Sequence, residues 1–142
     1  MVTVKVRAFR EEDRRSVIAL WETAGLTRPW NNPDLDIDRK IAHDPEGFLV
    51  GEIDGLMVAT AMVGYDGHRG WVNYLAVDPL QERAGIGRAM MVAAEHHLLG
   101  LGCPKLNVQV RGQNTDAIAF YERIGFARDD VVSFGKRLIP DD

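Results

Sequence analysis

Gly85 and Gly87 are the residues with the plainest capacity for chemistry. They flank Ile86, just after the apolar run Leu75, Ala76, Val77 and the stop Asp78-Pro79, and a helix-like run begins at Arg88. A strand that turns through glycines into a helix leaves several main-chain N–H groups unpaired and pointing one way. That is an anion site, suited to a diphosphate. Glycine has no Cβ, so phosphates can come close to the main chain. Arg88 opposes the helix dipole, a small local cost with a use if an anion binds there. The same turn can also be a tight strand-to-helix connection with no ligand, and GxG spacing alone does not separate the two. No GxxxxGK[ST] motif is present, and Met90 stands where the third glycine of GxGxxG would fall. The repeating βαβ pattern of a dinucleotide-binding domain is also missing.

Other reactive side chains are few. The single cysteine, Cys103, excludes a disulfide framework and a multi-cysteine metal site. It lies between Gly102 and Pro104 and reads as a small buried thiol, because no base partner for a nucleophile can be located. His68, in the turn YDGHRG, reads as exposed, with a general-base role as the lesser alternative. Asp34, Asp36 and Asp38 lack a metal-ligand spacing and read as a solvated helix face, so no metal is expected. Trp30, in the loop TRPWNNPD, has two readings: a cap on the core, or a wall of a substrate pocket.

The elements that position these residues follow from periodicity. The chain has 142 residues, 46% of them hydrophobic and 27% charged, which suits a single domain spanning 1–142. A net charge of −4 gives a nucleic-acid partner no support. No apolar run approaches the roughly 20 residues of a membrane span, and the N-terminus has no secretory h-region; a cytoplasmic protein is expected. Val2, Val4 and Val6 alternate with Thr3, Lys5 and Arg7 as in a half-buried strand. Glu11, Glu12 and Asp13 suit a helix start, Val17, Leu20, Trp21 and Ala24 share its inner face, and Gly25 stops it. A short helix over Leu35–His43 turns Ile37 and Ile41 inward. Asp54-Gly55 between apolar runs predicts a type I′ hairpin. A strand over Trp71–Val77 then enters the glycine turn. The next helix buries Met90, Ala93, Ala94, His97, Leu98 and Leu101. Lys105–Val110 alternates as a strand, and Asn114 is an N-cap candidate for a helix over Thr115–Ile124. Phe126 begins an extended piece, and Val131–Leu138 reads as a last strand.

The order β-α-α-β-β-β-turn-α-β-α-β-β, with two motifs, resembles the GNAT family of N-acetyltransferases over essentially the whole chain. The motifs are LAVDPLQERAGIGRAMM and NTDAIAFYERIGF, Asn114 to Phe126. The loop RPWNNPD, the turn YDGHRG and the segment GCPK further resemble small bacterial members of the YpeA type. The resemblance implies an α/β (α+β) fold: a mixed, mostly antiparallel sheet of about seven strands, splayed between the fourth and fifth, with about four helices. It also implies acetyl-coenzyme A as co-substrate, lying in that gap. The main chain of Leu75, Ala76 and Val77 would hold the pantetheine arm. Arg83, Ala84, Gly85, Ile86, Gly87 and Arg88 would receive the pyrophosphate. Asn114 would contact the pantetheine arm, Ala117 would be a further cofactor contact, and Tyr121 would be both a cofactor contact and the general acid. The acceptor would be a primary amine of a small molecule, an amino acid, or a protein N-terminus or lysine, and a homodimer is an expectation of the resemblance alone.

The chemistry agrees with this reading. A thiol of pKa about 8.5 is a fair leaving group, and a tyrosine of pKa about 10 can protonate it. Two departures from the family pattern stand out. Glu82 occupies a position that is usually Gln or Arg, with Ala84 at a commonly basic or glycine position, which bears on cofactor affinity. Asn73 stands where a glutamate base is usual, so deprotonation falls to a water chain, His68, Asp34 or Asp66. Trp30, Asn31, Tyr65 and Asp66 are the candidates for the acceptor pocket. The alternative from another class is a non-catalytic acyl-coenzyme A-binding module or sensor, and a third is an interaction domain whose glycine turn binds nothing.

Overall fold

The computed structural model describes residues 3–82 and 84–141. It divides into two compact units, one up to Val108 and one from Gln109 on. The first unit holds β1 (Lys5–Ala8), α1 (Arg14–Thr23), α2 (Pro33–His43), β2 (Phe48–Ile53), β3 (Leu56–Tyr65), β4 (Gly70–Val77), α3 (Ile86–Gly100) and β5 (Leu106–Val108). The second holds α4 (Thr115–Arg123).

The five strands form one sheet in sequence order. The pairs β1–β2, β2–β3 and β3–β4 are antiparallel, and β4–β5 is parallel. Asp54 and Gly55 take φ of 51° and 80°. A primed hairpin turn needs positive φ at both central residues, so the Asp-Gly pair fixes the β2–β3 register. The β4–β5 ladder joins Gly70 to Leu106, Trp71 to Asn107 and Val72 to Val108 and then stops. β4 runs on to Val77, five residues past its last pairing with β5, which itself ends at Val108.

One core cluster lies between the sheet and α1 and α2, and α3 buries Ile86, Met90, Met91, Ala94 and Leu98 as well. Val17, Trp21, Ile37, Phe48 and Val50 are fully buried in that cluster, with Ala76 of β4 beside them. Truncating Trp21 to alanine would cost about 3–5 kcal/mol. Phe9 and Phe48 stack at 4.4 Å, and Phe48 reaches Trp21 at 6.3 Å. Cys103 is buried, as expected of a small thiol without a base partner, with its thiol 3.4 Å from the Lys105 carbonyl.

Several expectations need correction. Among the described residues the sheet has five strands, not about seven. The expected last strand, Val131–Leu138, is not a strand, and neither is the piece after Phe126. Both faces of that segment are open to solvent: Val131 and Val132 are neighbours and both exposed, and Phe134 is 94% exposed. Apolar alternation makes a strand only when one face is buried against something. Asn107 and its neighbours form a shorter strand than Lys105–Val110 suggests. Leu101 is exposed because α3 ends at Gly100. Arg7, in the alternation of β1, is half-buried: its guanidinium grips both oxygens of the buried Asp13, at 2.8 and 3.0 Å, and reaches Glu52 at 3.3 Å. Val2 lies outside the described residues.

Candidate active site

The glycine turn begins where β4 ends. Asp78 donates its N–H to the Val58 carbonyl at 2.8 Å, and its carboxylate accepts from the Leu80 N–H at 3.0 Å. That closes a short 3₁₀ turn over Pro79–Gln81. Glu82 follows in extended conformation and is exposed. Ala84 is exposed beside Gly85, and Arg83 lies outside the described residues. Gly85 is the N-cap of α3 at φ +79°, and among the described residues no side chain caps this helix start. A Cβ at Gly85 would meet nothing within 4 Å, so glycine is needed for the sign of φ and not for room. The Gly85 carbonyl accepts from Ala89 at 3.0 Å, while Ile86 is buried and anchors the first turn. Arg88 projects from that turn and is exposed. An uncapped helix start of this kind offers main-chain donors and a positive dipole end to an anion.

Upstream on the same strand lies a feature that sequence reasoning missed. Ala76 pairs with Thr60 and Asn73 with Met62, so Tyr74 and Leu75 together oppose the single residue Ala61. This is a β-bulge, which leaves the main chain out of ladder register and re-aims it. Tyr74 takes φ +52° there. A bulky non-glycine residue in the left-handed region costs of order 1–3 kcal/mol and persists only when its surroundings over-determine it. They do: its carbonyl accepts from Thr60 Oγ1 at 2.9 Å, its ring stacks on Trp21 at 3.8 Å, and its hydroxyl donates to Asp36 Oδ2 at 2.6 Å. Thr60, fully buried, accepts in turn from Trp21 Nε1 at 2.9 Å. Positive φ at a non-glycine residue leaves no trace in composition or periodicity, so no sequence signal marks this bulge. Leu75 and Val77 are half-buried and Ala76 buried, with Val77 still paired to Ala59 of β3.

In the second unit, Asn114 caps α4, its side-chain oxygen accepting from the Ala117 N–H at 3.1 Å. The Ala117 donor is thereby used, and the Asn114 NH₂ group is the part suited to donating elsewhere. Tyr121 packs edge-on against Phe120 at 5.0 Å and Phe126 at 5.4 Å. Burial pushes its phenol up to about 12, above the ordinary value on which a role as proton donor rests.

The acceptor-pocket candidates fall in two places. Trp30 is 55% exposed and Asn31 half-buried in the loop before α2, the helix that carries Asp36. Tyr65 and Asp66 lie at the opposite end of β4 from the glycine turn, about 23 Å away by strand rise. Asp66 is committed to its own turn, accepting from the N–H groups of His68 at 2.8 Å and Arg69 at 2.7 Å and from Trp71 Nε1 at 3.3 Å. Those donors, Arg69 first, hold its carboxyl below the usual range. The Tyr65 hydroxyl donates to the Gly67 carbonyl at 3.2 Å. Of the base candidates, His68 is exposed and Asp34 pairs with Arg14 at 3.2 Å.

The fold is a mostly antiparallel sheet with one parallel pair, a bulge on β4, and a helix that starts at Gly85 a few residues beyond that strand. The chain belongs to the acetyltransferase (GNAT) family, whose model matches residues 8–126, and it is an acetyl-transferring enzyme. It is 46% identical over 97% of its length, and 98% of the relative's, to a protein of Yersinia pestis (strain Pestoides F) named acetyltransferase and nothing narrower. Ard1 from Thermoplasma volcanium is similar in structure, with TM-score 0.79, 28% identity and coverage of 89% of this chain and 84% of that one. The PaiA N-acetyltransferase of Thermoplasma acidophilum, solved with coenzyme A, shares the fold at TM-score 0.78 and 16% identity, covering 92% and 93% of the two chains.

Proposed function

We propose that this enzyme transfers the acetyl group of acetyl-coenzyme A to a primary amine by direct attack in a ternary complex. The observation that carries the reading is the Tyr74–Leu75 bulge, lying on the same strand that leads into the uncapped start of α3. A donor with a diphosphate at one end and a thioester at the other matches that pair of features. The first-turn N–H groups of α3, with Arg88, take the diphosphate. The main chain of Leu75–Val77, past the end of the β4–β5 ladder, takes the pantetheine arm as an added strand would. The bulge main chain polarises the thioester carbonyl.

The amine nitrogen attacks that carbon. An N–C bond forms, a tetrahedral oxyanion passes through, the C–S bond breaks, and the amine's surplus proton goes to solvent. Asn73 cannot accept that proton, so the acceptor reacts as the neutral amine. Tyr121 is the group for the departing sulfur. With burial holding its phenol above the ordinary value, full proton transfer to a departing thiolate is unfavourable. Tyr121 therefore donates a hydrogen bond to the developing thiolate and keeps its proton. Asn114 contributes its NH₂ group to the pantetheine arm. The acceptor enters past Trp30 and Asn31; the turn at Tyr65 and Asp66 is a weaker candidate, since Asp66 is already committed.

The test follows thiol release from acetyl-coenzyme A across a panel of small amines, amino acids and peptide N-termini, with mass spectrometry of the products. Amine-dependent release with one acetyl group gained per thiol is expected. Tight binding of acetyl-coenzyme A with no acetylated amine in the panel would make the chain a binding module instead.

A further inference from the structure

Tyr74 is an odd choice for its position on either of two simple grounds. If only the left-handed backbone mattered, glycine or asparagine would serve without strain. If only packing on Trp21 mattered, phenylalanine would fill the same space. The hydroxyl is used: it donates to Asp36 Oδ2 at 2.6 Å, within the short range of a phenol bonded to a carboxylate. Asp36 is itself fixed. It lies in the first turn of α2, where the helix dipole favours a carboxylate, and its other oxygen is 3.4 Å from Arg39 Nη1. Tyr74 is thus held at its carbonyl by β3, at its ring face by α1 and at its hydroxyl by α2. Three elements converge on one strained residue of the strand proposed to hold the thioester.

Resting on that reading of the bulge, we propose that the Asp36–Tyr74 pair is a positioning device for the transfer step. It holds the β4 bulge in the one conformation that meets the developing oxyanion, and so acts on turnover and not on acetyl-coenzyme A affinity. A main chain that must find its geometry during the reaction spends the stabilisation that a fixed one supplies. Asp36 and Tyr74 are positioning residues in this account: neither side chain needs to touch the reacting atoms.

The experiment compares the parent with Tyr74→Phe, Asp36→Ala, Asp36→Asn and the Tyr74→Phe/Asp36→Ala double variant. Two readouts are used: amide hydrogen exchange over residues 72–77 without ligand, and kcat and KM separately. Tyr74→Phe keeps the ring and its stack, so it folds. Losing one charge-assisted hydrogen bond should speed bulge exchange and lower kcat by about tenfold each, with KM for acetyl-coenzyme A within about twofold. Asp36→Ala should match it, and the double variant should be no worse than either single one. Asp36→Asn leaves an amide oxygen to accept from the phenol and should restore most of the turnover. Unchanged bulge exchange in Tyr74→Phe overturns the proposal, and so does faster exchange with kcat intact or a loss confined to KM. A parent that acetylates no amine overturns the transfer reading beneath it, whereas an active parent unaffected by Tyr74→Phe overturns this inference alone.

Discussion

Tyr121 carries its consequence in its protonation range. With its phenol pushed up to about 12 by burial, it stays a donor throughout the range in which an amine acceptor titrates. The rate should therefore rise with pH as the acceptor amine deprotonates, with no decline from Tyr121 below about pH 11. A downturn near pH 9.5 that disappears in Tyr121→Phe would contradict this. The size of the Tyr121→Phe effect separates two roles. A hydrogen bond to a charged sulfur is worth about 1.5–3 kcal/mol, so kcat should fall about ten- to a hundredfold. A proton transfer in the transition state would cost up to about 10⁴-fold. The same phenol links to stability: folded-state affinity for the proton exceeds that of the unfolded chain. Its contribution is complete below about pH 10 and is lost as pH rises from there toward 12.

The elements differ in how plainly the residues announce them, and the reason is local versus distant cause. Asp54-Gly55 states its own turn, because both residues tolerate the positive φ a primed hairpin needs. Asn114 states its own cap in the same way, three residues ahead of the N–H it accepts from. The bulge at Tyr74 is imposed from outside its strand by Thr60, Trp21 and Asp36, so nothing in VNYLAV reveals it. The segment Val131–Leu138 fails in the opposite direction: its pattern is strand-like, but no partner covers either face among the described residues. Arg7 shows the same dependence on distant residues. Alternation puts it on the polar face of β1, yet Asp13 and Glu52 draw it into a half-buried ion pair. The guanidinium holds the Asp13 carboxyl below its usual range, chiefly by hydrogen bonding. A lowered folded-state pKa contributes stability that is complete above about pH 4 and is lost as pH falls through the folded value. Asp13→Asn should be less stable by about 2 kcal/mol at neutral pH, because Arg7 keeps Glu52 but loses its bidentate partner. Acid unfolding followed by circular dichroism should then show parent and variant converging as pH falls through the folded-state value, and a gap that persists at the acid limit would assign the loss to packing.

At the scale of the molecule, the proposed reading asks a chain of net charge −4 to bind a polyanionic donor, so local geometry would have to outweigh global repulsion. On that reading the start of α3 and Arg88 would favour the anion, while the exposed Glu82 would oppose it. Binding to the folded state alone stabilises it by about 2.7 kcal/mol at a hundred times Kd. For a chain of this size that corresponds to a rise in Tm of roughly 5–10 °C with acetyl-coenzyme A. A ligand that entered only through the thioester would give the same shift without its phosphates, so desulfo and dephospho fragments separate the two ends of the site. Glu82→Gln then isolates the electrostatic part. It removes one like charge and leaves the backbone free to keep its extended conformation. Affinity by titration calorimetry should tighten about two- to fivefold at 50 mM salt, and the gain should vanish near 1 M, where the screening length is about 3 Å. A gain that survives high salt would mean that Glu82 acts through the shape of the turn. No gain at low salt would mean that its carboxylate points away from the diphosphate and that the α3 amides bind it without interference.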